Sequence, residues 1–148
     1  AHFASREAML AEAADRAGAE SNALAARVIA AVPPSQSLHA LIATYLSKAH
    51  IQGIENGCPI SALGSEMPRQ SPEVRRAATL RIKEMIDLVA RQSPDWGQPG
   101  AHERALVTVA TMVGTLILAR AVDDAALSDA LCSESIKSLA QPVVASIN

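Results

Sequence analysis

The stretch from Ala105 to Ala119 carries no charged residue, and threonine is its only polar residue type. Its length and composition predict a helix over about 101–122, and a helix that is apolar on every side has to be covered on every side. Two arrangements meet that requirement: the helix lies at the centre of the core, or a second copy of the protein covers one of its faces. Both arrangements favour a fold in which helix packs on helix.

The rest of the chain has helical periodicity and no strand-like alternation. The other predicted helices cover, in approximate bounds, residues 5–32, 35–55, 59–67 and 71–92, and the last one starts near Asp124 or Ser128 and reaches beyond Leu139. Pro33 ends the first of them, and Pro142 is expected to bend or end the last. Hydrophobic residues make up 49% of the 148 residues but aromatic residues only 2%, so small and branched aliphatic side chains have to form the core. The sequence therefore predicts an all-α bundle of about six helices.

The last two predicted helices are also the candidate dimer interface. Gly114 in the middle of the first costs about 1 kcal/mol relative to alanine, which is understandable where another backbone approaches closely. Two such helices from each of two chains would form a four-helix interface. The candidate interface residues are Val113, Gly114, Ile117, Ala121, Leu127 and Leu131.

Composition and charge exclude several classes of function. The formal net charge is -2 and the 13 lysines and arginines are scattered, so we expect no basic patch for direct DNA binding by this segment. No apolar run reaches the length of about 18 residues typical of a membrane span. The histidines and the two cysteines have no metal-ligand spacing, and no catalytic constellation stands out, so neither a metal nor a cofactor is expected.

The first residues predict a helix that starts at once, with Ser5 as its N-cap and Glu7 in its first turn. They resemble the end of the helix-turn-helix domain in the tetracycline-repressor (TetR) family. The matching residues are His2, Phe3, Ser5, Glu7 and Leu10, with Arg6 in the place of a lysine. The resemblance implies that residues 1–4 are the tail of a DNA-binding domain missing from this sequence. His2, Phe3 and Met9 are then the junction to that domain.

Two further stretches are similar to the same family, so that the resemblance covers nearly the whole chain. The matching residues and segments are Tyr45-Leu46-Ser47, His50, Gly57-Cys58-Pro59, Ala62-Leu63, Glu66, Ser71 to Arg75, Gly114 to Ala121, Asp123, Leu127 and Ser128. The resemblance implies that residues 5–148 form an all-α ligand-binding and dimerisation domain of a homodimer. It also implies binding of double-stranded operator DNA through the N-terminal domain, with a recognition helix in the major groove.

A small-molecule site typically has apolar walls and a few polar groups. The candidate residues for such a pocket are Leu24, Tyr45, His50, Met85, Thr108 and Met112. With one tyrosine, one tryptophan and one phenylalanine, the chain is not expected to form an aromatic cage for a cation. We therefore expect a small apolar or mildly polar organic effector.

Two of the polar candidates, and Cys58 outside that set, have alternative interpretations that the sequence leaves open. His50 is near the predicted end of its helix and is equally suited to contact with the terminal carbonyl groups. Thr108 can satisfy its own hydroxyl by bonding to a carbonyl one turn back. Cys58 precedes a short helix, where a thiol can become reactive, but most free cysteines are small buried apolar residues.

Together with these observations, the resemblance to the TetR family implies a cytoplasmic transcriptional regulator, specifically a repressor, in which effector binding controls operator binding allosterically. Two alternatives remain open. One is a free-standing helical ligand-binding or interaction module without DNA binding. The other, with less support, is a helical enzyme that uses the same cavity.

Overall fold

A computed structural model describes residues 2–141, apart from the side chain of Asn56, and within that range it is helical without strands. The helices are α1 (Arg6–Ala30), α2 (Ser37–Tyr45), α3 (Lys48–Gln52), α4 (Pro59–Leu63), α5 (Pro72–Gln92), α6 (Ala101–Ala121) and α7 (Ala125–Ala140). Short 3-10 turns lie at Pro34–Gln36, Ile54–Asn56 and Met67–Arg69. The all-α class is confirmed, whereas the predicted effect of Pro142 lies outside the described residues.

The ends of the long helices follow from local side-chain chemistry. The Ser5 hydroxyl accepts a hydrogen bond from the Ala8 amide at 3.0 Å and begins α1. Ser71 begins α5 in the same way, through the Val74 amide at 3.5 Å. These hydroxyls satisfy amide groups that have no partner inside the helix. The predicted N-cap Ser5 is confirmed, and Ser71 caps the helix that was predicted to begin at residue 71.

The single helix predicted over 35–55 is wrong, because the chain breaks it at Leu46 and Ser47. The backbone of Leu46 is no longer α-helical, with φ at -98° and ψ at 20°, and that of Ser47 is extended. The Ser47 hydroxyl then accepts from the His50 amide at 3.3 Å and caps α3. A serine inside an apolar pattern offers the backbone this alternative to a continuous helix. The helix predicted over 59–67 is also too long, since α4 ends at Leu63.

Helix α6 lies at the centre of the bundle, where it packs mainly against α5 and α7 and also contacts α2, α3 and α4. One of its faces is buried. That face consists of Ala101, Ala105, Val109, Met112, Thr115, Leu116 and Ala119. The buried core continues through Val89 and Ala90 of α5 and Leu41 and Ile42 of α2. The prediction of a central helix is therefore confirmed for this face.

The opposite face of α6 is apolar and exposed. Val107 is 64% exposed and Leu118 53%. A Cβ added to Gly114 would meet no atom within 4 Å, so nothing in the described chain approaches this position. By length and composition alone, α6 is the one described helix that could cross a membrane. That is weak evidence, because core helices with no contact to lipid have the same length and composition.

Helices α1 and α5 pack closely along much of their length. The approach requires Gly18, because an added Cβ there would lie 2.6 Å from Cγ of Arg81. The Arg81 guanidinium donates to both carboxylate oxygens of Asp15, at 2.9 and 3.0 Å, and to Glu84 at 2.7 Å. Such a bidentate pair fixes direction as well as distance. It holds α1 in the position where the next turns of this helix form one wall of a cavity.

Candidate functional site

A cavity of about 590 Å³ lies among α1, α2, α3, α5 and α6. Its apolar surface comes mainly from Ala25, Val28, Leu41, Met85, Leu88, Val89 and Met112. It opens to solvent beside Leu24, which is 51% exposed although it belongs to the wall. The cavity thus has an apolar inner end, its floor, which lies in the core, and a solvent-exposed end, its mouth, beside Leu24.

Five of the six residues predicted to form a pocket lie in the wall of this one cavity. They are Leu24, Tyr45, His50, Met85 and Met112. Thr108 is the exception, because it does not line the cavity. Its hydroxyl donates to the Arg104 carbonyl oxygen at 2.9 Å, one turn back along α6. The structure therefore contains the hydrogen bond within the helix that the sequence had left open as one of two interpretations of Thr108.

The break between α2 and α3 places His50 against Tyr45 and the chain around Cys58. Nε2 of His50 accepts from the Cys58 amide at 3.1 Å, so this nitrogen carries no proton. Nδ1 therefore holds the proton and donates to the Tyr45 carbonyl oxygen at 2.5 Å. Burial lowers the pKa of His50 from its usual 6.5, and the nearby Arg120 cation lowers it further, against the opposing effect of the Tyr45 carbonyl. The ring is neutral and both of its nitrogens are in use.

Arg120, on α6, holds the end of α3. Its guanidinium donates to the carbonyl oxygen of His50 at 2.6 Å and to that of Ile51 at 3.2 Å. A third bond, at 3.1 Å, reaches the Ser61 hydroxyl on α4. A cation suits the carbonyl groups exposed at a helix C-terminus. Sequence reasoning did not assign this role to Arg120, since its partners are about 60 to 70 residues away in the chain.

Gly57 lets the guanidinium of Arg120 and the ring of His50 approach the chain. A Cβ at this position would lie 2.6 Å from Nη2 of Arg120 and 3.0 Å from Nε2 of His50. Both atoms are fixed by hydrogen bonds, so neither can move away without losing one. In the sequence, Gly57 belongs to the Gly57-Cys58-Pro59 segment that contributes to the family resemblance. The structure shows its physical role: because glycine has no side chain, α3 and the Arg120 side chain of α6 can approach the cavity wall at this position.

Tyr45 lines the cavity, but its hydroxyl oxygen is inaccessible to solvent and has no hydrogen-bond partner among the described residues. The ring packs edge-on against His50, with 4.7 Å between centroids. Burial raises the pKa of Tyr45, and the neighbouring Cys58 thiol raises it further, although the two groups lack hydrogen-bond geometry. An unpaired buried polar group costs about 1–3 kcal/mol. This hydroxyl is therefore an exception that calls for a physical explanation.

Charged side chains of the cavity lie only at its exposed mouth. They are Glu20, Arg27 and Glu55. Asn22 lies at the edge and donates to Glu84 at 3.3 Å, which ties the mouth to α5. Cys58 is buried in the wall. Among residues 2–141, no three His, Cys, Asp or Glu side chains come together in a group that could hold a metal ion.

The other predicted site residues lie away from the cavity. The candidate interface residues Ile117, Ala121 and Leu127 are exposed. Val113, Gly114 and Leu131 are half-buried. The candidate junction residues His2, Phe3 and Met9 are exposed at the start of α1. Interface and junction thus remain predictions, on surfaces that the described chain leaves open.

Residues 34–131, about two thirds of the chain, match a family model described as transcriptional regulator LmrA/YxaF-like, C-terminal domain. The matched range begins after α1, includes all of α2 to α6 and ends within α7. It therefore contains the cavity-lining residues of α2, α3, α5 and α6 and the Arg120 contacts, but not the lining residues of α1. No match to a curated protein accompanies this result.

Proposed function

Because the chain belongs to the TetR family of transcriptional regulators, among its LmrA/YxaF-like C-terminal domains, we propose that it is the effector-binding and dimerisation domain of a DNA-binding repressor. Proteins of this family are soluble regulators rather than enzymes. The observation that carries the proposal is the cavity, whose floor is apolar and whose mouth reaches solvent. We place its action in the cytoplasm, where operator DNA is found.

The effector in this proposal is a small organic molecule. A cavity of about 590 Å³ is within the usual range of small-molecule sites, about 300–1,000 Å³. Its walls are apolar with a few polar groups, among them the side chains of Tyr45 and His50. The size and chemistry of the cavity support binding of an apolar or mildly polar effector.

The proposed homodimer uses the exposed face of α6 together with α7. Large apolar patches on a surface usually mark an interaction site. Gly114 lies within this face with open space in front of it, which suits the close approach of a second helix. The two-fold symmetry of such a dimer would set the distance between two DNA-reading domains, one from each subunit.

Helix α1 is the proposed link between cavity and DNA. Met9, in the candidate junction, and Leu24, in the cavity wall, lie on this one unbroken helix. They are about 22 Å apart at 1.5 Å per residue. An effector that binds better to the geometry unable to hold DNA lowers the affinity for DNA by the same coupling factor.

The test is a selection of binding sequences from a random pool of double-stranded DNA, with the full-length protein as bait. We expect enrichment of a two-fold symmetric sequence with half-sites about one helical turn, or a multiple of it, apart. The Gly114→Glu variant should lose this enrichment, because it separates the subunits. A failure of the full-length protein to enrich any sequence contradicts the regulator and favours a free-standing ligand-binding module.

A further inference from the structure

We propose that a second cavity, between α1, α4 and α5, binds a small hydrocarbon, such as one aromatic ring with a short alkyl group. This second cavity has a volume of about 260 Å³. Its wall is formed mainly by Ala14, Gly18, Ile60, Leu63, Ala78 and Ile82. It shares no lining residue with the effector cavity, the cavity of about 590 Å³ described above, so the two are separate sites on one subunit.

Small residues on three sides leave the space of the second cavity open. Ala14 and Gly18 lie one turn apart on α1, Ala78 lines the cavity from α5, and Gly64 lines it just after α4. Spaces larger than a water molecule are few in protein interiors, because the atoms around them lose packing contacts. A molecule that fills this space restores those contacts. The missing contacts are therefore a source of binding energy for an occupant of the right shape.

The wall of the second cavity selects an apolar occupant. Among the described residues that line it, Arg81 is the one with a polar side chain. Each of its three guanidinium nitrogens donates to a carboxylate oxygen of Asp15 or Glu84, at 2.9, 2.7 and 3.0 Å, so its charge is already balanced. A buried water molecule needs two to four polar partners, whereas an apolar cavity stays dry and takes apolar guests. The chemistry of the wall thus favours a hydrocarbon over water or a polar molecule of similar size.

The size and position of the second cavity suit a single ring. A dry apolar cavity of about 150 Å³ is large enough to bind benzene or xenon. The second cavity, at about 260 Å³, has room for a ring with a short alkyl group. Leu63 belongs to its wall and is 46% exposed, so the cavity reaches the surface beside α4. A molecule of the size of toluene therefore has both the space and a way in.

The experiment titrates toluene into the full-length protein, with ¹³C-labelled isoleucine and methionine methyl groups observed by NMR. Ile60 and Ile82 line the second cavity, whereas Met85 and Met112 line the effector cavity, so each cavity has its own reporters. Phenol, titrated in parallel, has nearly the size of toluene but carries a hydroxyl that needs a hydrogen-bond partner. Thermal unfolding with and without toluene is the second readout.

We expect toluene to shift the methyl resonances of Ile60 and Ile82 in a saturable way. It should also raise the thermal midpoint, because a ligand that binds only the folded state stabilises it. Phenol should affect the same methyl groups about tenfold more weakly, because its hydroxyl loses water without gaining a partner. Toluene shifts confined to Met85 and Met112 overturn the inference, and so does a phenol affinity at Ile60 and Ile82 equal to that of toluene.

Filling variants locate the binding. Ala14→Leu and Ala78→Leu extend a side chain into the second cavity from α1 and from α5, and each should abolish the toluene response of the two isoleucines. Ala13→Leu, one residue along α1 and exposed, is the matched control and should respond like the wild type. A response that survives both filling variants, or no saturable response in the wild type, overturns the inference. Neither result touches the proposed effector function, which depends on the other cavity.

Discussion

The two faces of α6 have almost the same composition but different surroundings. On the inner face, Met112 and Leu116 are fully buried against the rest of the bundle. On the outer face, Val107 and Leu118 are largely exposed, and Gly114 has open space before it. Apolar character alone shows that a face has to be covered. The structure of one chain shows which face it covers by itself, and the outer face is the one for which we propose a second chain.

The largest effect is expected on the inner face. Leu116→Ala should lower the free energy of unfolding by about 2–5 kcal/mol, because it leaves a hole in a fully packed site. Ile117→Ala, one residue along and on the outer face, is the matched control. Its loss should be smaller and should depend on protein concentration, since it acts through the dimer. Chemical denaturation at several protein concentrations distinguishes the two; equal, concentration-independent losses would remove the contrast between the faces.

A charge on the outer face should separate the subunits. Gly114→Glu places a carboxylate where the second helix is proposed to approach, so we expect monomers or insoluble protein. Leu80→Glu, on the exposed side of α5, is the control and should remain dimeric. Light scattering of both variants measures the effect. A soluble, stable Gly114→Glu dimer is incompatible with the proposed interface.

Alanine substitutions at the two mid-helix glycines, Gly18 and Gly114, test the same contrast between a covered and an uncovered helix face, with smaller expected changes in stability. Gly18→Ala sets a methyl group 2.6 Å from Cγ of Arg81, and overpacking of about 1–3 kcal/mol should outweigh the helix-propensity gain of about 1 kcal/mol. Gly114→Ala meets nothing within the chain, so it should stabilise an isolated subunit by about 1 kcal/mol but weaken the dimer. Unfolding and dimer dissociation are measured for both. A Gly114→Ala dimer as tight as the wild type would argue against close helix approach.

The smallest effect concerns pH. Because burial lowers the pKa of His50 in the folded state from its usual 6.5, the unfolded chain takes up the proton more readily. The stability that depends on the neutral ring is complete above about pH 6.5 and is lost as the pH falls. Thermal melts from about pH 7.5 to 5.5 should show this loss in the wild type and a flatter profile in His50→Gln. The same slope in both proteins would assign it to other groups.

The sequence predicted the features that depend on neighbouring residues. The caps at Ser5 and Ser71 and the apolar spacing of α5 and α6 are local, and the structure confirms them. The helical periodicity also predicted the all-α class, and the resemblance to the TetR family, which the family match supports, agreed with it.

The sequence did not predict the features that depend on contacts between distant residues, or on a choice between two possible local backbone structures. The break at Ser47 is such a choice, because its hydroxyl caps α3 while the apolar pattern continues through it. Arg120 joins α6 to α3 across about 70 residues, a contact that no periodicity reveals. Thr108 was assigned to the pocket from its helix alone, although its rotation about α6 decides whether it faces the cavity.

The most direct test of the central claim, that a second copy covers the outer face of α6, is the mass of the protein in solution. Sedimentation equilibrium of this 15.4 kDa chain should give twice the chain mass at micromolar concentration and above. A single-chain mass that does not change with concentration would contradict the account, because the exposed face of α6 would then need a different partner.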